Sequence, residues 1–260
     1  MSALTLAARD SSTMVRRQLK RLVRYPSMTI QLVITPVILL LVFVYVFGGT
    51  LGNGLGGAGN GRSAYVNYVV PGILLMAVAT AATGTAVMVA TDMTEGVIAR
   101  FRTMRIWRPA VLTGHVVGAV IQQLLGMAVL IGVALAMGFR PDATVVEWLA
   151  AAGLLILFVV AVTWLSVALG LKAQTPESAS NAPMPLILLP FLGSGFVPTD
   201  SMPTVLRWFA EYQPFTPIME TLRGLLLGTP IGNSGPIAVA WCAGIAVASY
   251  LWAKHTFDKA

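Results

Sequence analysis

Side chains able to do covalent or metal chemistry are few in this chain and far apart. It has 2 His and 1 Cys. His115 and His255 stand alone in the sequence and read as structural or surface residues. No His-Glu-x-x-His metal pattern, Gly-x-Ser-x-Gly nucleophile turn or paired-carboxylate constellation occurs. The Gly-Lys-Ser/Thr ending of a phosphate-binding loop is missing as well. Cys242 alone makes no internal disulfide and reads as a small apolar residue inside a membrane helix. What remains is the chemistry of docking, packing and passage.

The segment Asp92–Pro109, DMTEGVIARFRTMRIWRP, carries the docking chemistry. A short helix is expected from Thr94, with Glu95 in its first turn, where the helix dipole favours an acid. Val97, Phe101 and Met104 then share one face, and Arg100, Arg102 and Arg105 spread over the remainder. Large apolar side chains, Trp107 nearby and charges of both signs suit a helix that docks into a cleft on another protein. The competing reading is a solvated basic loop.

The elements that position this segment follow from the absence of charge. Apolar residues make up 57% of the 260, and only 10% are charged, against roughly 25% in an average soluble domain. A soluble globular enzyme of this size could not bury so much apolar surface, and a disordered chain would not carry it. Six charge-free intervals are Tyr25–Gly61, Ser63–Thr91, Pro109–Phe139, Trp148–Leu171, Ser178–Thr199 and Gly224–Ala253. A spanning helix needs about 20 predominantly apolar residues. Six membrane spans are therefore expected, near 28–47, 67–90, 110–137, 147–170, 178–197 and 236–253. The first is too long for the apolar core of a signal peptide and reads as retained. With this layout 13 of the 17 Lys and Arg fall on the side of both termini, which places the termini in the cytoplasm.

No Asp, Glu, Lys or Arg falls inside these spans, which argues against a proton relay and against a voltage sensor. Energy for uphill movement would have to come from another chain. The polar groups within the spans are small. Thr80, Thr83, Gln122, Gln123, Thr163 and Ser166 either bond neighbouring helices or line a substrate path. Gly114, Gly118 and Gly126 give span three a close-packing face. Span five holds Pro183, Pro185, Pro190, Gly193 and Gly195, so it is expected to be kinked and packed inside a bundle. Pro36 should kink span one.

Residues 1–27 read as a cytoplasmic amphipathic helix lying on the anionic inner leaflet. Val15, Leu19, Leu22 and Val23 face one way, and Arg17, Lys20, Arg21 and Arg24 the other. Gly48–Arg62, with six glycines from Gly52 to Gly61, reads as a flexible external linker. Ser201–Gly228 contains two short amphipathic segments split at Pro214 and Pro217, neither long enough to cross. They fit a pair of half-helices dipping into the outer leaflet, and Glu220 and Arg223 on the second are spaced to pair.

This layout resembles the permeases of ABC-2-type transporters. Asp92–His115, DMTEGVIARFRTMRIWRPAVLTGH, is similar to the first cytoplasmic loop of the daunorubicin/doxorubicin-resistance branch, as is Gln213–Gly228, QPFTPIMETLRGLLLG, to its outer segment. The resemblance covers nearly the whole chain. It implies an all-α integral membrane protein, with residues 28–260 forming a six-span domain, a cytoplasmic coupling loop at 91–109 and outer half-helices at 201–228. Glu95, Gly96, Val97, Arg100, Phe101, Arg102, Met104 and Arg105 would form a coupling helix seated on a separate ATP-binding subunit. The N-terminal helix, through Arg17, Lys20, Arg21 and Arg24, would touch the same subunit. Pro214, Phe215, Glu220 and Arg223 would belong to an outer gate.

ATP and Mg would bind the partner, with no cofactor in this chain and no catalytic or metal-ligating residue. A second permease copy and membrane lipids are the other expected partners, and nucleic acid is not. Few Tyr or Trp line the spans, a departure from carbohydrate-exporting relatives. The expected function is export of a hydrophobic or amphipathic compound, a drug-like polyketide or a lipid, across the cytoplasmic membrane. The alternatives are export of a lipid-linked glycan or glycolipid, and a membrane scaffold that carries nothing.

Overall fold

The computed structural model describes residues 13, 15–16, 20, 24, 26–54, 61–95 and 109–259. All regular structure among them is helical. The first span begins as α1, Pro26–Leu41, and continues through a π-helical stretch, Val42–Phe47, into α2, Gly48–Gly54. Then come α3, Gly61–Thr94, α4, Pro109–Ala136, and α5, Val145–Lys172. Two short helices follow, α6, Pro176–Asn181, and α7, Met184–Leu188. A 3-10 turn at Thr199–Ser201 leads to α8, Thr204–Tyr212, and α9, Phe215–Leu227. The last helix is α10, Ser234–Lys259.

Five of these stretches are long and apolar enough to cross a bilayer: Ile30–Gly52, Gly61–Thr94, Leu112–Ala136, Val145–Lys172 and Ser234–Phe257. They match five of the six charge-free intervals. The sixth, Ser178–Thr199, is not one helix: α6 and α7 are single turns or little more, and turns run on through Phe196. Three prolines and two glycines within 13 positions explain this, since each proline removes a helix hydrogen bond and each glycine weakens the helix.

Burial ranks the long helices. For α3 and α5, 67% of the apolar stretch is buried in protein, against 17% for the first span and 22% for α10. So α3 and α5 form the centre, and the first span and α10 the rim. The main core gathers Val69, Ile73, Leu74 and Val78 of α3, Phe158 and Val159 of α5, and Ile218, Met219 and Leu222 of α9. The start of α5 is fixed by a reciprocal cap. Thr144 N donates to Glu147 Oε2 at 2.6 Å, and Glu147 N donates to Thr144 Oγ1 at 3.4 Å.

Two departures from expectation concern the ends of the first two spans. Gly48–Gly54 is helical rather than a linker. It extends a helix already nucleated, so each glycine costs only about 1 kcal/mol. Gly52 lies against the Gly61 backbone with no room for a Cβ, so the small residue is required there. At the other end, α3 runs to Thr94 and takes Asp92 into the buried interior, where no acid was expected.

The path of the broken segment is set by α3. Ala179 of α6 packs on Ala86 and Ala90 near one end of α3. Phe196 and Ser194 meet Tyr65 and Tyr68 near the other. Between Tyr65 and Ala86 the helix rises about 32 Å at 1.5 Å per residue. The chain at 179–196 therefore runs along roughly two thirds of α3, in a form more extended than a helix. One turn beyond Tyr68, Gly72 crosses Gly195 so closely that a Cβ on Gly72 would sit 2.6 Å from the Gly195 carbonyl oxygen.

This crossing predicts a contrast between two glycines of the same helix. Gly72→Ala should destabilise the purified protein by about 1–3 kcal/mol through overpacking. Gly84→Ala, where an added Cβ meets nothing within 4 Å, should leave stability unchanged or slightly raised. Thermal unfolding in mild detergent checks this, and equal shifts for both variants would contradict the close crossing.

Candidate transport path and buried polar cluster

The turns at 189–196 free backbone carbonyls that no helix satisfies. Buried away from water, they need side chains to take them up. Four do. Gln213, between α8 and α9, donates from Nε2 to the Leu189 carbonyl at 2.9 Å. Tyr68 of α3 donates from Oη to the Ser194 carbonyl at 2.9 Å, and Arg223 of α9 donates from Nη2 to the same oxygen at 2.9 Å. Tyr65 donates to the Phe196 carbonyl at 3.5 Å. Arg223 also donates to the Tyr68 carbonyl at 3.2 Å, and its guanidinium lies over the Tyr68 ring, 3.9 Å from the centroid. Thr216 Oγ1 accepts from Ser194 N at 3.4 Å and from Gln213 Nε2 at 3.4 Å.

Three atoms of this cluster have no hydrogen-bond partner although buried: Arg223 Nε, Ser194 Oγ and Gln213 Oε1. Each such orphan costs about 1–3 kcal/mol. The cluster is therefore polar, packed and not fully satisfied. Glu220 accepts from Ser234 Oγ of α10 at 2.8 Å. Thus Glu220 and Arg223, spaced to pair, direct their hydrogen bonds to different partners, and Arg223 serves the backbone. Pro214 stands at the N-terminus of α9, and Phe215 is buried against Phe158 of α5, edge to face with centroids 5.3 Å apart.

Phe158 lies 13 residues into α5, about 20 Å along its axis. The far end of α9 is level with the start of α5, where Asp142 N donates to the Leu226 carbonyl at 3.1 Å. The second short helix therefore starts against the middle of α5 and ends level with the start of α5. Its partner α8 leaves Val205, Trp208 and Tyr212 exposed.

Of the six polar residues expected in the spans, two come together. Gln123 Nε2 of α4 donates to Thr163 Oγ1 of α5 at 3.1 Å, both buried. Gln123 Oε1 is left without a partner. Gln123 lines a small cleft with Leu32, Val33 and Pro36 of α1 and Ala77 of α3. Thr80 and Ser166 turn back on their own helices, to the Ala77 carbonyl at 2.9 Å and the Val162 carbonyl at 2.7 Å. Thr83 is half-buried with an unpartnered hydroxyl, and Gln122 is half-buried on α4.

One face of the central helix stays partly uncovered. Thr80, Thr83, Gly84, Val87, Met88 and Thr91 of α3 are half-buried or exposed. At about 100° per residue they fall on one stripe. The Thr80 hydroxyl turns inward, so the stripe presents methyl groups, a thioether and the bare Cα of Gly84.

Just beyond the far end of α3, Glu95 is exposed, its N–H bonded to the Thr91 carbonyl at 2.9 Å. Gly96, Val97, Arg100, Phe101, Arg102, Met104 and Arg105 lie outside the described residues. Lys20 and Arg24 are helical and exposed, while Arg17 and Arg21 lie outside the described residues. His115 is not isolated: Nε2 lies 3.1 Å from Asp92 Oδ2. Tyr65, Tyr68, Ser194 and Gln213 were also missed, although a tyrosine pair three residues apart on one span and prolines on another were visible signals. Among the described residues no group of three or more His, Cys, Asp or Glu could hold a metal ion.

Long apolar helices around a broken segment, its freed carbonyls bound by buried side chains, define a multi-pass integral membrane protein. A family model described as ABC-2 type transporter matches residues 10–227. The chain belongs to the ABC-2 type transporter family, as a permease of the daunorubicin/doxorubicin-resistance branch. The daunorubicin resistance ABC transporter permease protein of Streptomyces coeruleorubidus is 31% identical over 207 residues, covering 79% of this chain and 70% of that protein. A probable doxorubicin resistance ABC transporter permease protein of Mycobacterium tuberculosis H37Rv is 23% identical over 215 residues, covering 83% and 77%.

The polar cluster around Arg223 yields a graded prediction. Arg223→Met removes two charge-assisted bonds to buried carbonyls and should cost about 3 kcal/mol of stability. Tyr68→Phe removes one bond while keeping the ring and should cost about 1 kcal/mol. Denaturation of the purified protein measures both, and a Tyr68→Phe loss equal to that of Arg223→Met would contradict this assignment.

Proposed function

We infer that the chain is the membrane subunit of an ATP-driven exporter for a hydrophobic or amphipathic compound. In this reading it crosses the membrane six times with both termini in the cytoplasm. The fifth crossing is the broken chain at 176–197, a reading supported by its course along α3. The outer half-helices are α8 and α9, re-entrant from the outer face, which the depth of Phe215 against Phe158 supports. An ATP-binding subunit supplies ATP and Mg, and Glu95 with the following residues to Arg105 transmits its motion. Two permease copies form the path.

The observation that carries the cargo class is the open stripe on α3. A central helix that buries its other faces offers here mostly small and apolar groups between Thr80 and Thr91. Such a lining suits a flat, mostly apolar molecule with few polar groups. The relatives' names, which tie them to daunorubicin and doxorubicin resistance, agree with this chemistry. Export rather than import rests on the same kinship.

The test uses the permease co-purified with its ATP-binding subunit, reconstituted in vesicles with daunorubicin as fluorescent probe. ATP-dependent uptake is expected in vesicles whose cytoplasmic face points outward. Glu95→Ala and Arg100→Ala should lower it about tenfold or more with insertion unchanged. Recovery of the protein without any subunit bearing a phosphate-binding loop would favour a scaffold. ATP-driven uptake of a fluorescent phospholipid but not daunorubicin would move the cargo to lipid.

A further inference from the structure

The buried pair Asp92–His115 is used by none of the chemistry above. Asp92 sits in the last turn of α3 and His115 in the second turn of α4, with side chains only 5% and 3% exposed; Nε2 approaches Oδ2 to 3.1 Å, an electrostatic contact outside hydrogen-bond geometry. Burying two ionisable groups in a membrane protein is costly, and such groups are usually tied to function. Their place in the fold suggests which function. The two helices are the stems that lead into and out of residues 95–108. Around the pair, Val89 of α3, Leu112 and Val116 of α4, Val167 and Leu171 of α5 and Phe257 of α10 form a separate apolar cluster. On the other side, α3 is seated on α5 at Gly170, where a Cβ would come 2.5 Å from the Ala86 carbonyl oxygen. The opposite end of α3 carries Tyr65 and Tyr68, bonded to the Phe196 and Ser194 carbonyls of the polar cluster.

We propose that Asp92 and His115 are positioning residues that clamp the two stems of the cytoplasmic loop into one rigid unit, so that a push on residues 95–108 moves α3 as a whole and reaches the polar cluster. Without the clamp the stems part, and the push is absorbed at the base of the loop. This deepens the permease reading and rests on it.

The readout is transport per ATP hydrolysed, in the same reconstituted complex with daunorubicin as probe. Asp92→Asn and His115→Asn should each retain subunit assembly and ATP hydrolysis while transport per ATP falls about fivefold. The exchange variant Asp92→His/His115→Asp should recover most of the loss. Unchanged transport per ATP in the single variants overturns the clamp. So does a joint fall of assembly, hydrolysis and transport that the exchange does not repair, because that marks a purely structural pair. A second measurement leaves the clamp intact. Spin labels at Thr94→Cys and Thr113→Cys, with Cys242→Ala, should give one narrow distance with or without ATP. A distance that changes with ATP overturns the proposal. If the unaltered complex shows no ATP-driven transport, the permease reading falls, and that result is distinct from a failed clamp.

Discussion

Backbone carbonyls freed by a helix break inside packed protein must find donors there, because water does not reach them. Here the break falls at Pro190, Gly193 and Gly195, and the donors are Gln213, Tyr68, Arg223 and Tyr65. This one requirement organises the upper half of the molecule. It explains why α9 is buried along most of its length and why an arginine sits among apolar residues. It also explains why α3, which carries both tyrosines, is central. Arg223 is held by two carbonyls and an aromatic face rather than by an acid. Three of the cluster's buried polar atoms remain unsatisfied.

The lower half is organised differently. Small residues let helices approach: Ala179 on Ala86 and Ala90, and Gly170 on the Ala86 backbone. Close backbone contact of this kind makes α3 stiff against its neighbours. The buried Asp92–His115 contact adds a polar tie to α4 at the same level. The central helix thus joins a tightly seated lower end to an upper end held by replaceable hydrogen bonds. Its uncovered stripe, from Thr80 to Thr91, runs along the lower half on another face of the helix.

Much of this could be read from residue order, and the reasons for the misses are physical. Charge-free intervals locate α1, α3, α4, α5 and α10 because the cost of a charge in lipid is large compared with any local propensity. The prolines and glycines of 178–197 announce a disrupted span, but only tertiary contacts decide that it becomes two short helices and turns. Gly48–Gly54 reads as a linker because propensity weighs residues singly, whereas an incoming helix continues at little cost. Spacing brings Glu220 near Arg223, yet Ser234 and the Ser194 carbonyl compete better for them. The Asp92–His115 contact joins two helices across a loop, and local periodicity carries no record of such a pair.

The proposed six-crossing arrangement depends on residues 176–197 crossing the membrane in broken form beside α3. Single cysteines at Glu177 and Val197, both exposed positions, introduced with Cys242→Ala, test it directly with a membrane-impermeant maleimide. Labelling at Val197→Cys from outside intact cells, and at Glu177→Cys only after the inner face is opened, is the predicted result. Labelling of both positions from the same side would contradict it.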